Sequence, residues 1–291
     1  MLVCGVRVLT LVVVFTSITN AADGDGARHK TDPKFLCSQC PKEGVDVAQL
    51  HRNADRLYRE FKAKEAAEEL LKILSWDAEN FEALVKLARA HIDLGDMIPE
   101  SVPGWQEKRM NEYRSAEDYA RKAVAVNPGS TWGHFYVAAS LGNIAVISPV
   151  ARQIELAGAI RDAIEKSISL DARNGFAYHA YGVWHRKMAE IGKMSRIVAS
   201  VVYGRSLPAG SMEQSVEYLK KAITLNPTVI VSRLELARTY IAMEDWPAAR
   251  SLLSSIRELP VQFSDDATHK QKAGELLEEI NHPDRKLQSD R

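Results

Sequence analysis

Apolar residues recur with a helical period along most of the chain. Leu50, Ala54, Leu57, Tyr58 and Phe61 fall on one stripe, and Ala63, Ala67, Leu70, Leu71 and Leu74 form a second after a short polar break. Spacings of three and four predict helices, and two helices joined so tightly predict an antiparallel hairpin. The scheme recurs. First helices carry Leu84, Leu87, Ala88 and His91; Trp132, Val137, Ala138 and Leu141; Tyr178, Tyr181, Gly182 and His185; and Leu236, Ala237 and Tyr240. Second helices carry Ala116, Ala120 and Ala123; Ile160, Ile164 and Ser167; Ser215, Leu219 and Ala222; and Ala249, Leu253 and Ile256. Small residues at these crossings let helix axes approach closely, so each hairpin nests against the next.

A short phrase closes four of the second helices. Lys72-Ile73-Leu74-Ser75-Trp76-Asp77-Ala78 returns as Lys122-Ala123-Val124-Ala125-Val126-Asn127-Pro128. It returns again as Lys166-Ser167-Ile168-Ser169-Leu170-Asp171-Ala172 and as Lys221-Ala222-Ile223-Thr224-Leu225-Asn226-Pro227. Proline cannot continue a helix, and self-similarity at such a spacing marks a stacked-repeat architecture. Such folds bind more often than they catalyse. Toward the end Ala273, Leu276, Leu277 and Ile280 form a stripe behind Ser264 and Asp265, which offer an N-cap, and His282-Pro283 stops it. This predicts a capping helix. The predicted fold is therefore all-α.

A large residue, then Gly or Ala, then Tyr on the first helix, followed by an Ala-rich second helix and a closing Pro, resembles the tetratricopeptide (TPR) repeat. Leu236, Ala237 and Tyr240 with Ala249, Leu253 and Ile256 carry the likeness best, whereas Asn53 departs from it. The resemblance implies a superhelix of antiparallel helix pairs. Extra residues interrupt three units, at 97–113, 149–156 and 187–210. Around the third, Tyr178, Tyr181-Gly182, Trp184, Ile197-Val198-Ala199, Tyr203-Gly204 and Pro208 precede Ser215-Val216-Glu217-Tyr218-Leu219 and Asn226-Pro227. That order is similar to the regulator of microtubule dynamics family, over about residues 45–280. The resemblance implies association with microtubules or mitochondria in animal members, tubulin as an alternative partner, and no catalytic residues.

Before residue 45 the pattern changes. An apolar run over residues 8–18 follows Arg7 and precedes Thr19-Asn20-Ala21-Ala22. It reads as a signal peptide over residues 1–21, with an uncleaved anchor as the alternative. This predicts a secreted or periplasmic product; the alternatives are membrane anchorage or a cytoplasmic location on microtubules. Residues 22–44 form a polar lead-in, 45–282 the helical domain and 283–291 a tail. With Cys4 leaving in the signal peptide, Cys37 and Cys40 remain as a local disulfide or a reduced pair without a role. Pro41 stands where haem attachment needs His.

Lys+Arg and Asp+Glu both total 38, which argues against nucleic acid as the partner. No cofactor or small-molecule substrate is indicated. His179 and His185 are six apart and do not share a helical face, no His-Glu-x-x-His occurs, and no metal ligands are assigned. Carboxylates such as Glu65, Glu68 and Glu69 read as a solvated face. No nucleophile and base stand together, so no catalytic residue is named. Aligning the units on Ala54, Ala88, Ala138, Gly182 and Ala237 assigns His51, Tyr58, Arg59, Arg89, Trp132, Phe135, His179, Arg186 and Arg238 to the concave face, with Asp55 beside them. Guanidinium and aromatic groups suit an acidic peptide or protein, through bidentate pairs and stacking. The plain alternative is a solvated mixed face. The reading is a non-enzymatic scaffold that holds a partner in a helical groove.

Overall fold

The computed structural model describes residues 46–204 and 206–282. The leader, Cys37, Cys40 and the tail lie outside these residues. Among the described residues every regular element is helical. The helices are α1 (Val47–Arg59), α2 (Ala63–Trp76), α3 (Phe81–Asp96), α4 (Trp105–Val126), α5 (Thr131–Val146) and α6 (Val150–Leu170). They continue as α7 (Gly175–Glu190), α8 (Lys193–Tyr203), α9 (Met212–Leu225), α10 (Ile230–Ala242), α11 (Trp246–Ile256) and α12 (Asp266–Asn281). Pairs α1/α2, α3/α4, α5/α6, α7/α9 and α10/α11 pack as successive hairpins, and α12 covers the last pair.

The repeated phrase has a local cause. Asp77, Asn127, Asp171 and Asn226 each end a helix with ψ turned to between 76° and 104°. Their amides still reach carbonyls four residues back, at 2.9, 2.9, 3.1 and 2.8 Å. Their own carbonyls accept from Asn80, Ser130, Asn174 and Val229 at 3.1 to 3.3 Å. Asn80, Ser130 and Asn174 then cap the following helix with their side chains. One turn is thus built repeatedly, and each copy reverses the chain by the same geometry.

The small residues lie where the helices cross. Ala54, Ala88, Ala138, Gly182 and Ala237 are all buried, as are Ala116, Ala120, Ala123, Ser215, Ala222 and Ala249 opposite. The interruptions are largely helical. Most of the first lengthens α4 at its start, after a turn through Gly104, whose φ of 71° favours glycine. The second supplies the first turns of α6, and the third contains α8.

The array closes on itself. Phe263, between α11 and α12, is buried in the same apolar cluster as Leu84, Val85 and Ile92 of α3. A small cavity there is lined by Tyr58, Phe61, Asp93, Met97 and Phe263, joining the first and last units.

Candidate functional site

The nine residues assigned to the concave face all lie on the first helix of a pair, α1, α3, α5, α7 or α10. On α3, Arg89, Asp93 and Asp96 are spaced four and three apart and share a face. The Arg89 guanidinium carbon lies 3.5 Å from the centroid of the Tyr58 ring. Its Nε and Nη2 atoms are buried without hydrogen-bond partners. Burial lowers its pKa to about 10, against the opposing pull of Tyr136 and Asp55. Asp93 is 2% exposed and its Oδ1 has no hydrogen-bond partner. Burial, then Asp96 and Asp265, push its pKa well above the ordinary value. Asp96 accepts from the Tyr113 hydroxyl at 2.7 Å, yet burial still raises it to about 8.

On α7 and α10, by contrast, the charges pair with one another. Arg186 of α7 meets Glu235 of α10, and also Glu190 at 2.9 Å; Arg238 binds the other oxygen of Glu235. Burial alone would raise Glu235, but Arg186 and Arg238 hold it down at about 2. His179 is 1% exposed, with Nδ1 3.1 Å from the Ser232 hydroxyl, and burial lowers its pKa to about 4.

These positions correct the expectation of an open trough. Phe135, His179 and Arg186 are buried. Trp132 and Phe135 pack edge to face at 5.9 Å, alongside Tyr136 and Phe176, as part of the core. His51 is half-buried with Nδ1 3.7 Å from Glu82, and Asp55 pairs with Lys86 at 2.5 Å. Arg59, at the end of α1, is exposed. The structure brings Tyr58 and Arg89 together, and separately His179, Arg186 and Arg238 around Glu235. It does not join all nine into one exposed face.

Sequence reasoning misses the residues that cover this wall. Asp265 does occupy the N-cap position of α12, but its side chain makes no capping bond. Asp266 instead accepts from the Gln262 and Phe263 amides at 2.7 and 2.9 Å, fixing the preceding turn. One potential ligand atom from each of Asp265, Asp266 and His269 lies within 4.8 Å of the others. The signal is an acidic pair one helical turn before a histidine. Asp93 between Ile92 and Leu94, and Glu235 between Leu234 and Leu236, are further signals: charged residues set in apolar stretches.

Outside, α8 presents an apolar face. Ile197, Val198, Val201, Val202 and Tyr203 are exposed, Val201 by 79% and Val202 by 64%. Arg196 anchors the helix, its guanidinium donating to the carbonyls of Ile191, Leu207, Pro208 and Met188. Among the described residues no helix is long and apolar enough to cross a membrane.

A family model described as Regulator of microtubule dynamics protein 1-3 matches residues 50–281. Regulator of microtubule dynamics protein 1 of Bos taurus is 25% identical over 235 residues, covering 80% of this chain and 71% of that one. The Caenorhabditis elegans protein of the same name is 23% identical over 172 residues, covering 59% of this chain and 76% of its own. Among solved structures, a thermophilic TPR protein of Thermus thermophilus superposes with a TM-score of 0.57. That alignment has 15% identity and covers 78% of this chain and 98% of that one, a likeness of fold alone. The animal relatives overturn the expectation of a secreted or periplasmic product. They are named for regulating microtubules, which are cytoplasmic polymers.

Proposed function

The chain belongs to the regulator of microtubule dynamics family, and on that premise we propose that it is a non-enzymatic docking scaffold. Its partner is a protein, bound on the outer face of α8, with the microtubule surface as the first candidate. The observation that carries this reading is the exposed apolar row Ile197, Val198, Val201, Val202 and Tyr203. Contiguous apolar surface on a soluble fold is costly to leave in water and marks an interaction site. The inner wall is the weaker candidate, because Arg186 and Arg238 already have Glu235 as their acidic partner.

Co-sedimentation with assembled microtubules tests the reading. The wild-type chain is expected in the pellet, and the Val201→Glu/Val202→Glu variant in the supernatant with an unchanged melting temperature. Wild type left in the supernatant removes the microtubule assignment. Equal pelleting of both proteins removes α8.

A further inference from the structure

We propose that Asp265, Asp266 and His269 hold a divalent transition-metal ion that, with Asp93 and Asp96 of α3 beside it, clasps the closing segment onto the first units. The geometry comes first. The ligand atoms of the three residues lie within 4.8 Å of one another, and His269 Nδ1 is 3.8 Å from Asp265 Oδ1. Ligands bound at ~2.1 Å to one ion stand roughly 3–4 Å apart, so a small inward rotation of these side chains closes the shell.

The second observation is the state of the donors. Both Asp265 oxygens, His269 Nδ1, Asp93 Oδ1 and Asp96 Oδ2 are buried without a hydrogen-bond partner. His269 is 3% exposed and Asp93 2%. Asp96 keeps one donor in the Tyr113 hydroxyl and Asp266 two in backbone amides, but the oxygens just named have none, and carboxylate oxygens so held out of water are strongly unfavourable unless a cation is shared among them. Lys272 is near enough to be felt by Asp96 and Asp265, but it forms no ion pair with either among the described residues. Asp266, held by two backbone amides through Oδ2, keeps its other oxygen for a ligand role. Carboxylate oxygens with one imidazole nitrogen suit Mn²⁺ or Zn²⁺ better than Ca²⁺, which takes oxygen ligands.

The position gives the ion a purpose. Asp93 and Asp96 belong to α3, whereas Asp265, Asp266 and His269 lie at the start of α12, after the buried Phe263. An ion held by the α12 residues offsets the charge of Asp93 and Asp96 nearby and so holds the start of α12 against α3.

The full chain, stripped with EDTA, is titrated with Mn²⁺ and then with Zn²⁺ by calorimetry, with Mn²⁺ electron paramagnetic resonance as a second signal. Stoichiometric binding is expected, together with slower amide exchange over residues 262–269. Asp265→Asn and His269→Gln, which preserve most of the packing, should each weaken binding by about 10–100-fold or more. Failure of the wild type to bind either metal overturns the proposal, and that measurement does not depend on any variant folding. Wild-type affinity in both variants overturns it as well, as does binding that leaves exchange in this segment unchanged.

Discussion

Arg186 on α7 and Glu235 on α10 form an ion pair with both side chains buried, 5% and 2% exposed. Arg238 shares the carboxylate and Glu190 shares the guanidinium, so the pair is the centre of a small network rather than an isolated contact. Removing one member strands the other charges away from water. Glu235→Leu should cost about 3–5 kcal/mol in urea unfolding, and Arg186→Met in the same chain should recover most of that loss. An additive double variant would show that the two residues do not act as a pair.

The same carboxylate sets an acid limit. Glu235 sits at about 2 in the folded chain against an ordinary 4.5. Its contribution is present above 4.5 and is lost as the pH falls through the folded value of about 2. Glu235→Leu should therefore lose stability less steeply than wild type over that interval, measured by denaturant midpoints.

His185 acts at milder pH. Its ring lies 4.5 Å from that of Tyr181 and 5.3 Å from that of Tyr218, and neither nitrogen has a hydrogen-bond partner. Burial lowers its pKa from 6.5 to about 4, with Glu165 opposing. The unfolded chain takes the proton first, so stability is full above 6.5 and declines as the pH falls toward about 4. His185→Phe keeps an aromatic ring and removes the proton site. Its melting temperature should fall less than that of wild type between about pH 7.5 and about pH 5. An unchanged pH difference would sink this reading.

Gly182 gives a test of sign. Alanine in place of an exposed mid-helix glycine normally stabilises by about 0.5–1 kcal/mol. Here a methyl group would stand 2.5 Å from Leu219 Cγ and 3.1 Å from both the Leu219 amide nitrogen and the Ser215 carbonyl oxygen. Gly182→Ala should instead destabilise by about 1–3 kcal/mol in thermal or urea unfolding. A stabilised variant would mean that α7 and α9 can separate at little cost.

Much of this architecture can be read in advance because it is local. Ala54, Ala88, Ala138, Gly182 and Ala237 announce the crossings, since only small residues let axes approach there. Asp77, Asn127, Asp171 and Asn226 announce the turns, since each stops a helix by its own backbone geometry. The candidate site is less legible. Repeat register places Arg89, His179, Arg186 and Arg238 on the inner face, but their burial depends on what lies across from them.

The chain's own pattern determined that helices form, where they reverse and which face each turns inward, because a period of 3.6 residues and a cap act within a few residues. Only the tertiary structure decided that the array closes and that Phe263 seals against α3. It also set Asp93 and Asp96 beside Asp265 at the other end of the chain. Closure sums small rotations over every hairpin, and residues more than a hundred positions apart share no local signal that records that sum.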